Sequence, residues 1–253
     1  MLSIVILGTG TIAKHLVGAL SKVKEVRLAQ VVGRNQEQLL WFSGFAPIST
    51  DFKAIMDADI YLIAVKDDAI VEVSRHIFDK KGIVAHVSGA TPMNSLPMEN
   101  RGVFYPLQSF TEGRPLDFRT IPFCIEAQKE DAAETLKVLA GYLSDSVSDV
   151  DSQQRKKLHL AAMYVNNFSN YLYGVGEKLC EEEGLPFDLL KPLILETAEK
   201  IQVMSPKEAQ TGPARRGDKK TMKAHLALLH DKKQIELYKL FSEAIKKVYE
   251  EKL

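Results

Sequence analysis

The feature that most constrains the fold is a junction near the start of the chain. Ser3-Ile-Val-Ile-Leu7 is an apolar, β-branched run of strand length, and Gly8-Thr-Gly10-Thr-Ile-Ala13 follows it directly. Ile12, Leu16 and Leu20 then recur every four residues, the spacing of one helix face. The pattern G-x-G-x-x-A between a strand and a helix has a physical reading. The first glycine permits a tight turn. The second lets a pyrophosphate approach the backbone with no Cβ in the way, and the small Ala13 lets the helix pack closely on the strand. The start of the helix offers unpaired N–H groups and a partial positive charge. A purely structural turn is the alternative reading of the same residues.

The alternation continues through the first 150 residues. Val26–Val32, Ile60–Val65, Ile83–Val87, Pro122–Ala127 and Val147–Val150 read as strands. Helical stretches lie between them. One runs through Leu39, Leu40 and Phe42 with Asn35 as N-cap, one through Ile70, Val73 and Ile77 with Asp68 as cap, and one through Leu136, Leu139 and Leu143. The segment holding Pro92, Pro97 and Pro106 reads as loop. From about residue 151 onward the periodicity is helical only. Ser205-Pro-Lys-Glu208 has the form of a capping box, Thr211-Gly-Pro213 breaks that helix, and Asp218 can cap the next. The expected fold is therefore α/β. A Rossmann-type doubly wound parallel sheet over residues 1–150 precedes an all-α domain over residues 151–253. In such sheets a ligand sits beyond the carboxyl ends of the strands, which directs attention to loops 8–13, 33–35, 65–68 and 88–92.

Charge excludes several function classes. Lys and Arg number 33, and so do Asp and Glu, which leaves no basic surplus for nucleic acid or for a polybasic membrane surface. Cys124 and Cys180 form no disulfide framework, and no His, Cys, Asp or Glu spacing resembles a metal site. The chain opens without a basic n-region. The stretch from Leu158 to Gly176 lacks charges but carries His159, Asn166, Asn167 and Asn170, too many polar groups for a bilayer span. It reads as a buried helix of a soluble, cytoplasmic protein with a small-molecule partner.

The loops suggest which dinucleotide. Gly8, Thr9, Gly10, Thr11 and Ile12 would cradle its phosphates. The second strand ends Gly33-Arg34-Asn35, with no carboxylate there for the ribose hydroxyls of NAD. Arg34 can pair with a 2′-phosphate, so the cofactor expected is NADP, with NAD less favoured. A solvated loop arginine is the plainer reading. Ala64, Val65 and Lys66 form a small apolar turn against which ribose and diphosphate can lie. Gly89 permits close approach after the fourth strand, and the Ser88 hydroxyl can reach substrate or nicotinamide, or simply form a turn. His86, inside that strand, reads as a core residue.

These residues resemble the dinucleotide domains of pyrroline-5-carboxylate reductase, 6-phosphogluconate dehydrogenase-like enzymes and the deazaflavin-dependent NADP reductases. The chain more closely resembles a group that joins such a domain to a helical domain of unknown function. The shared segments are Val65-Lys-Asp-Asp-Ala-Ile70, His86-Val-Ser-Gly-Ala90, Tyr105-Pro-Leu-Gln-Ser-Phe110, Leu158-His-Leu-Ala161 with Asn166-Asn167, and Thr211-Gly-Pro-Ala-Arg-Arg-Gly-Asp218 with His225-Leu226. The resemblance implies an NADP-dependent oxidoreductase and a homodimer formed through the helical domain, without supplying a substrate. It also exposes a departure. The hydroxyacid dehydrogenase relatives carry a catalytic lysine three residues before an Asn-Asn pair, and here that position is Met163.

Another group must then move the proton. At 100° per residue, His159, Met163, Asn166, Asn170 and Tyr173 fall within about 40° of one line on a largely apolar helix. A polar stripe of that kind needs partners or a cleft. We read it as facing the nicotinamide between the domains, with His159 exchanging a proton and Asn166 holding a carbonyl or amide. A buried network between helices is the alternative. The Thr211–Asp218 loop is a candidate substrate pocket or dimer contact, with Arg215 and Arg216 suited to an anion. Two functions from different classes follow: hydride transfer between NADP(H) and a small carbonyl or imine, or a non-catalytic NADP(H)-binding redox sensor or scaffold.

Overall fold

The alternation of the first half becomes one sheet of eight strands. The computed structural model describes residues 1–250. In chain order its first part contains β1 (Leu2–Leu7), α1 (Thr11–Leu20), β2 (Val26–Val32), α2 (Gln36–Leu40), β3 (Ile48–Ser49), β4 (Ile60–Ile63), α3 (Ile70–Ser74), β5 (Ile83–His86), β6 (Arg101–Pro106), β7 (Phe123–Ala127), α4 (Glu130–Leu143) and β8 (Val147–Asp149). The strand order is β3-β2-β1-β4-β5-β6-β7-β8. The first six strands are parallel, β7 runs against β6, and β8 runs with β7.

Two details differ from the sequence reading. The sheet is not parallel throughout, because its last two strands reverse. The proline-marked segment also contains β6, whose Val103-Phe-Tyr105 core has strand character. Pro106 sits at its last position, where a missing N–H costs the ladder little. β3 has two residues, too few to show a period.

Both faces of the sheet are covered. On one, Ala13, Leu16, Val17 and Leu20 of α1 join Leu39, Phe42 and the Leu136, Leu139 and Leu143 stripe of α4. On the other, Ile70, Val73 and Ile77 pack with Ile55, Leu96 and Met98. Each such aliphatic side chain contributes about 1.5–3 kcal/mol when fully buried. Strand order reverses between β1 and β4, so the carboxyl ends of β1, β2, β4, β5 and β6 share one edge around that switch point.

The remaining helices are α5 (Ser152–Ala162), α6 (Ser169–Glu182), α7 (Lys191–Val203), α8 (Pro206–Ala209), α9 (Pro213–Arg216), α10 (Lys219–Leu228) and α11 (Lys232–Glu250). The caps agree with the sequence. Asn35 accepts from the Gln38 amide, Ser205 and Glu208 form a capping box, and Asp218 accepts from Thr221. Asp68 caps nothing: a short 3-10 turn, Asp67–Ala69, leads into α3, and Ala69 at its N-cap offers no side-chain acceptor. Between α5 and α6 the backbone takes a π-helical turn, Met163–Phe168. The chain divides by packing into residues 1–166 and 167–253. Among the described residues no helix is long and apolar enough to cross a membrane.

Candidate functional site

At the strand edge, the two glycines of the first turn do different work. Gly8 has φ +131°, and a Cβ there would lie 2.1 Å from the Ala64 carbonyl oxygen. Only glycine fits where the ends of β1 and β4 meet. Gly10 has extended backbone and is the N-cap of α1, with no side-chain cap and no acidic residue in the first turn. A Cβ on Gly10 would meet no heavy atom within 4 Å. The α1 start therefore combines uncapped N–H groups with open space, which suits the phosphates of a dinucleotide. Thr11 and Ile12 form its first turn and are half-buried. The Thr9 hydroxyl is already used, donating to Gln38 Oε1 at 2.7 Å.

The neighbouring loops flank this space. Arg34 is exposed directly after Gly33 and makes no hydrogen bond or ion pair among the described residues. The Asn35 side chain is spent on capping α2. Ala64 is buried beneath Gly8, Val65 is half-buried and Lys66 is exposed.

After β5 the geometry is more crowded. The Ser88 hydroxyl accepts from the Ala90 and Thr91 amides, at 3.1 and 2.9 Å, and donates to Thr91 Oγ1. Its capacity is filled within the turn. Gly89 lies against two side chains: a Cβ there would come 2.6 Å from His159 Nδ1 and 2.8 Å from the Tyr105 hydroxyl. Those two groups are 3.1 Å apart and hydrogen-bonded. The close approach that Gly89 permits is thus to the protein's own side chains. Tyr105, the penultimate residue of β6, has 7% of its surface exposed, and burial, with a smaller contribution from Cys124, pushes its phenol up to about 12.

Arg155 anchors α5 one helical turn before His159. Its side chain is 1% exposed and bridges Glu126 on β7, at 2.5 Å, to the Thr91 carbonyl, at 2.7 Å. Ser152 joins the network by donating to Glu126 and accepting from the Met93 amide. A buried pair of this kind is retained through good geometry and further hydrogen bonds, both present here. Below the turn, His86 is fully buried. Its Nδ1 accepts from the Ser88 amide, which puts the neutral ring's proton on Nε2. Burial, and then the Arg155 charge, depress its pKa to about 4.

Sequence reasoning did not assign a role to Tyr105 or Arg155. Arg155, His159 and Met163 are spaced by four, so the helix face of His159 could have disclosed the arginine. Tyr105 needed recognition of β6. The polar stripe is also revised. Residues 158–176 are largely exposed rather than buried, and Asn166 sits exposed in the π turn. A π turn advances less than 100° per residue, so the phase linking His159 to Asn170 and Tyr173 is not that of a straight α-helix.

Of the other concavities, one starts at Thr11 in the first turn of α1 and runs along that helix. This groove, of about 830 Å³, is lined by residues including Lys14, His15, Trp41 and Tyr142. Within residues 167–253, an apolar cavity of about 300 Å³ is lined by residues including Thr211, Gly212, Leu229 and Phe241. Arg215 turns back onto the Gln210 carbonyl and lies over the Tyr249 ring.

Comparison with known proteins follows the same outline. The family described as "Domain of unknown function (DUF2520)" matches residues 121–245. No curated protein matches the chain. A Bacteroides fragilis structure described as a "putative NADP oxidoreductase" is 39% identical, with a TM-score of 0.89 over 97% of this chain and 98% of that one. A Thermotoga maritima protein is 20% identical, with a TM-score of 0.77 over 98% and 99%. An imine reductase of Myxococcus stipitatus, solved with NADP+, is 13% identical, with a TM-score of 0.65 over 98% and 93%. The last two likenesses bear on the fold alone.

Proposed function

This chain, which matches the DUF2520 model over residues 121–245, belongs to the family of the Bacteroides fragilis protein, and on that premise we propose that it is an NADP-dependent oxidoreductase acting on a small carbonyl or imine. The observation that carries the reading is the open, uncapped start of α1 at Gly10, beside the switch point of the sheet. Gly8 shapes the turn, and the backbone from Gly8 through Thr9, Gly10, Thr11 and Ile12 holds the phosphates. Arg34, which makes no ion pair among the described residues and follows a strand end without a carboxylate, selects the 2′-phosphate, which favours NADP over NAD. Asn35 secures α2 beside it. Ala64, Val65 and Lys66 form the wall for ribose and diphosphate. Bound NADPH would supply hydride.

The protein's own part is to place and protonate the substrate. His159 exchanges the proton, a role supported by its place beside Gly89 and Tyr105 at the carboxyl edge of the sheet. Asn166 is the proposed ligand of a carbonyl or amide. We assign Ser88 to shaping the turn under Gly89, since its hydroxyl is already saturated. The non-catalytic reading keeps one observation in its favour, Met163 in place of the relatives' lysine. The apolar side chains left exposed on α6 and α7 support a homodimer through the helical part.

Titration calorimetry with NADPH and NADH tests the reading. Tighter binding of NADPH is expected, with the preference falling about tenfold to a hundredfold in Arg34→Ala. Absence of binding by either nucleotide at millimolar concentration overturns it. Tight NADPH binding without oxidation across a panel of ketones, keto acids and imines selects the sensor.

A further inference from the structure

We propose that Tyr105 is a positioning residue of this site, its hydroxyl holding Nδ1 of His159 so that Nε2 is the nitrogen left to meet a substrate. The chemistry of this assignment rests on the oxidoreductase reading, while the pairing itself does not. Three separate elements converge on a single hydrogen bond: the turn after β5, the end of β6 and the second half of α5. The Tyr105 and His159 rings meet edge to face, with centroids 6.2 Å apart. Gly89 leaves the space they need, since any side chain there would overlap both the ring nitrogen and the phenol oxygen. Arg155, tied to Glu126 and Thr91, fixes the helix that carries His159.

A phenol both donates and accepts. In the neutral ring Nδ1 accepts a hydrogen bond from the Tyr105 O–H, and the ring's own proton sits on Nε2. The imidazolium donates Nδ1–H to the same oxygen and again carries Nε2–H. Before transfer, either charge state therefore presents a proton at Nε2. In the reducing direction, the imidazolium gives its Nε2 proton to the substrate oxygen or nitrogen. Bound NADPH would supply hydride to the substrate carbon, and the π pair of the C=O or C=N bond would then move to that heteroatom. Nδ1–H stays bonded to the Tyr105 oxygen, and solvent returns the proton to Nε2. The phenol, buried and neutral, is not consumed.

Nitrogen-15 NMR of the His159 ring, read with activity, tests this in the full-length protein. Tyr105→Phe removes only the oxygen, and Gly89→Ala drives a methyl into the contact. Wild-type His159, when neutral, should show one fixed tautomer with a hydrogen-bonded, unprotonated Nδ1. Both variants should move toward the averaged signal of free imidazole. NADPH affinity should hold in both, while turnover falls about tenfold to a hundredfold and its pH profile shifts. An unchanged His159 spectrum in Tyr105→Phe overturns the proposal. So does a Gly89→Ala protein that loses NADPH affinity while keeping the wild-type His159 signal. A wild-type protein that binds NADPH but reduces nothing overturns the oxidoreductase reading instead, and the spectra still decide the pairing.

Discussion

Residues 1–166 enclose a large apolar core, and the described residues from 167 onward bury almost no apolar side chain. In the first part Ile4, Ile6, Leu16, Leu62, Phe104 and Leu139 are fully buried. In the second, Ala214 is the one buried apolar residue among those described, while Leu185, Leu189, Leu193, Leu195 and Val203 are each more than half exposed. The difference follows from architecture. A twisted sheet has two faces, and helices on both close a core within one chain. Helices without a sheet bury only a stripe each, and α7 has more apolar side chains than one stripe can hide. A second copy of the chain is the proposed cover.

The largest test of this contrast is truncation of a leucine in each part. Leu16→Ala should cost about 2–5 kcal/mol at any protein concentration, because it opens a cavity in a closed core. Leu193→Ala, if solvent truly surrounds it, should change stability by less than about 0.5 kcal/mol. If a second copy covers it, the loss should instead depend on concentration and appear as dissociation in sedimentation equilibrium. Concentration-independent behaviour in both variants breaks the dimer proposal.

Acid sensitivity should reside in the first part, which contains the buried titratable side chains. His86 has a folded pKa near 4 against an ordinary 6.5. The unfolded chain takes up the proton first as pH falls. Stability from this group is therefore complete above about pH 6.5 and is lost progressively down to about pH 4, roughly 3 kcal/mol in all. Trp41, the sole tryptophan, lies in the same part and reports its unfolding by fluorescence. The dependence should flatten in His86→Gln. An unaltered slope would remove His86 as its source.

The smallest expected effects are at the caps. Asp151 caps α5 with a complete capping box, and its replacement by alanine should cost about 1 kcal/mol, seen in the Trp41 transition. Ser205→Ala at the box of α8 should cost about as much locally but leave the Trp41 transition in place. Equal shifts of that transition would show the two parts unfolding as one.

Legibility followed the range of the interactions. The strand–glycine–helix junction, the cap at Asn35 and the box at Ser205 are local, and a short window of sequence carries them. β6 was obscured by its terminal proline and β3 by its brevity. His159 could be singled out as a polar group on an apolar helix, but its partner could not, since Tyr105 lies 54 residues earlier in the chain. Ser88 and Gly89 were visible as a turn. That the serine is saturated there, and that the glycine makes room for Tyr105 and His159, depended on what folded against them.

The sequence by itself determined the alternation of strands and helices, the doubly wound class and the glycine turn at Gly8 and Gly10, because each arises from periodicity or backbone freedom within a few residues. Tertiary structure decided the reversal of β7 and β8, the burial of Arg155 and the pairing of Tyr105 with His159. Those depend on which distant segments share a boundary, and the cost of leaving a buried polar group unpaired is settled only when the partner arrives.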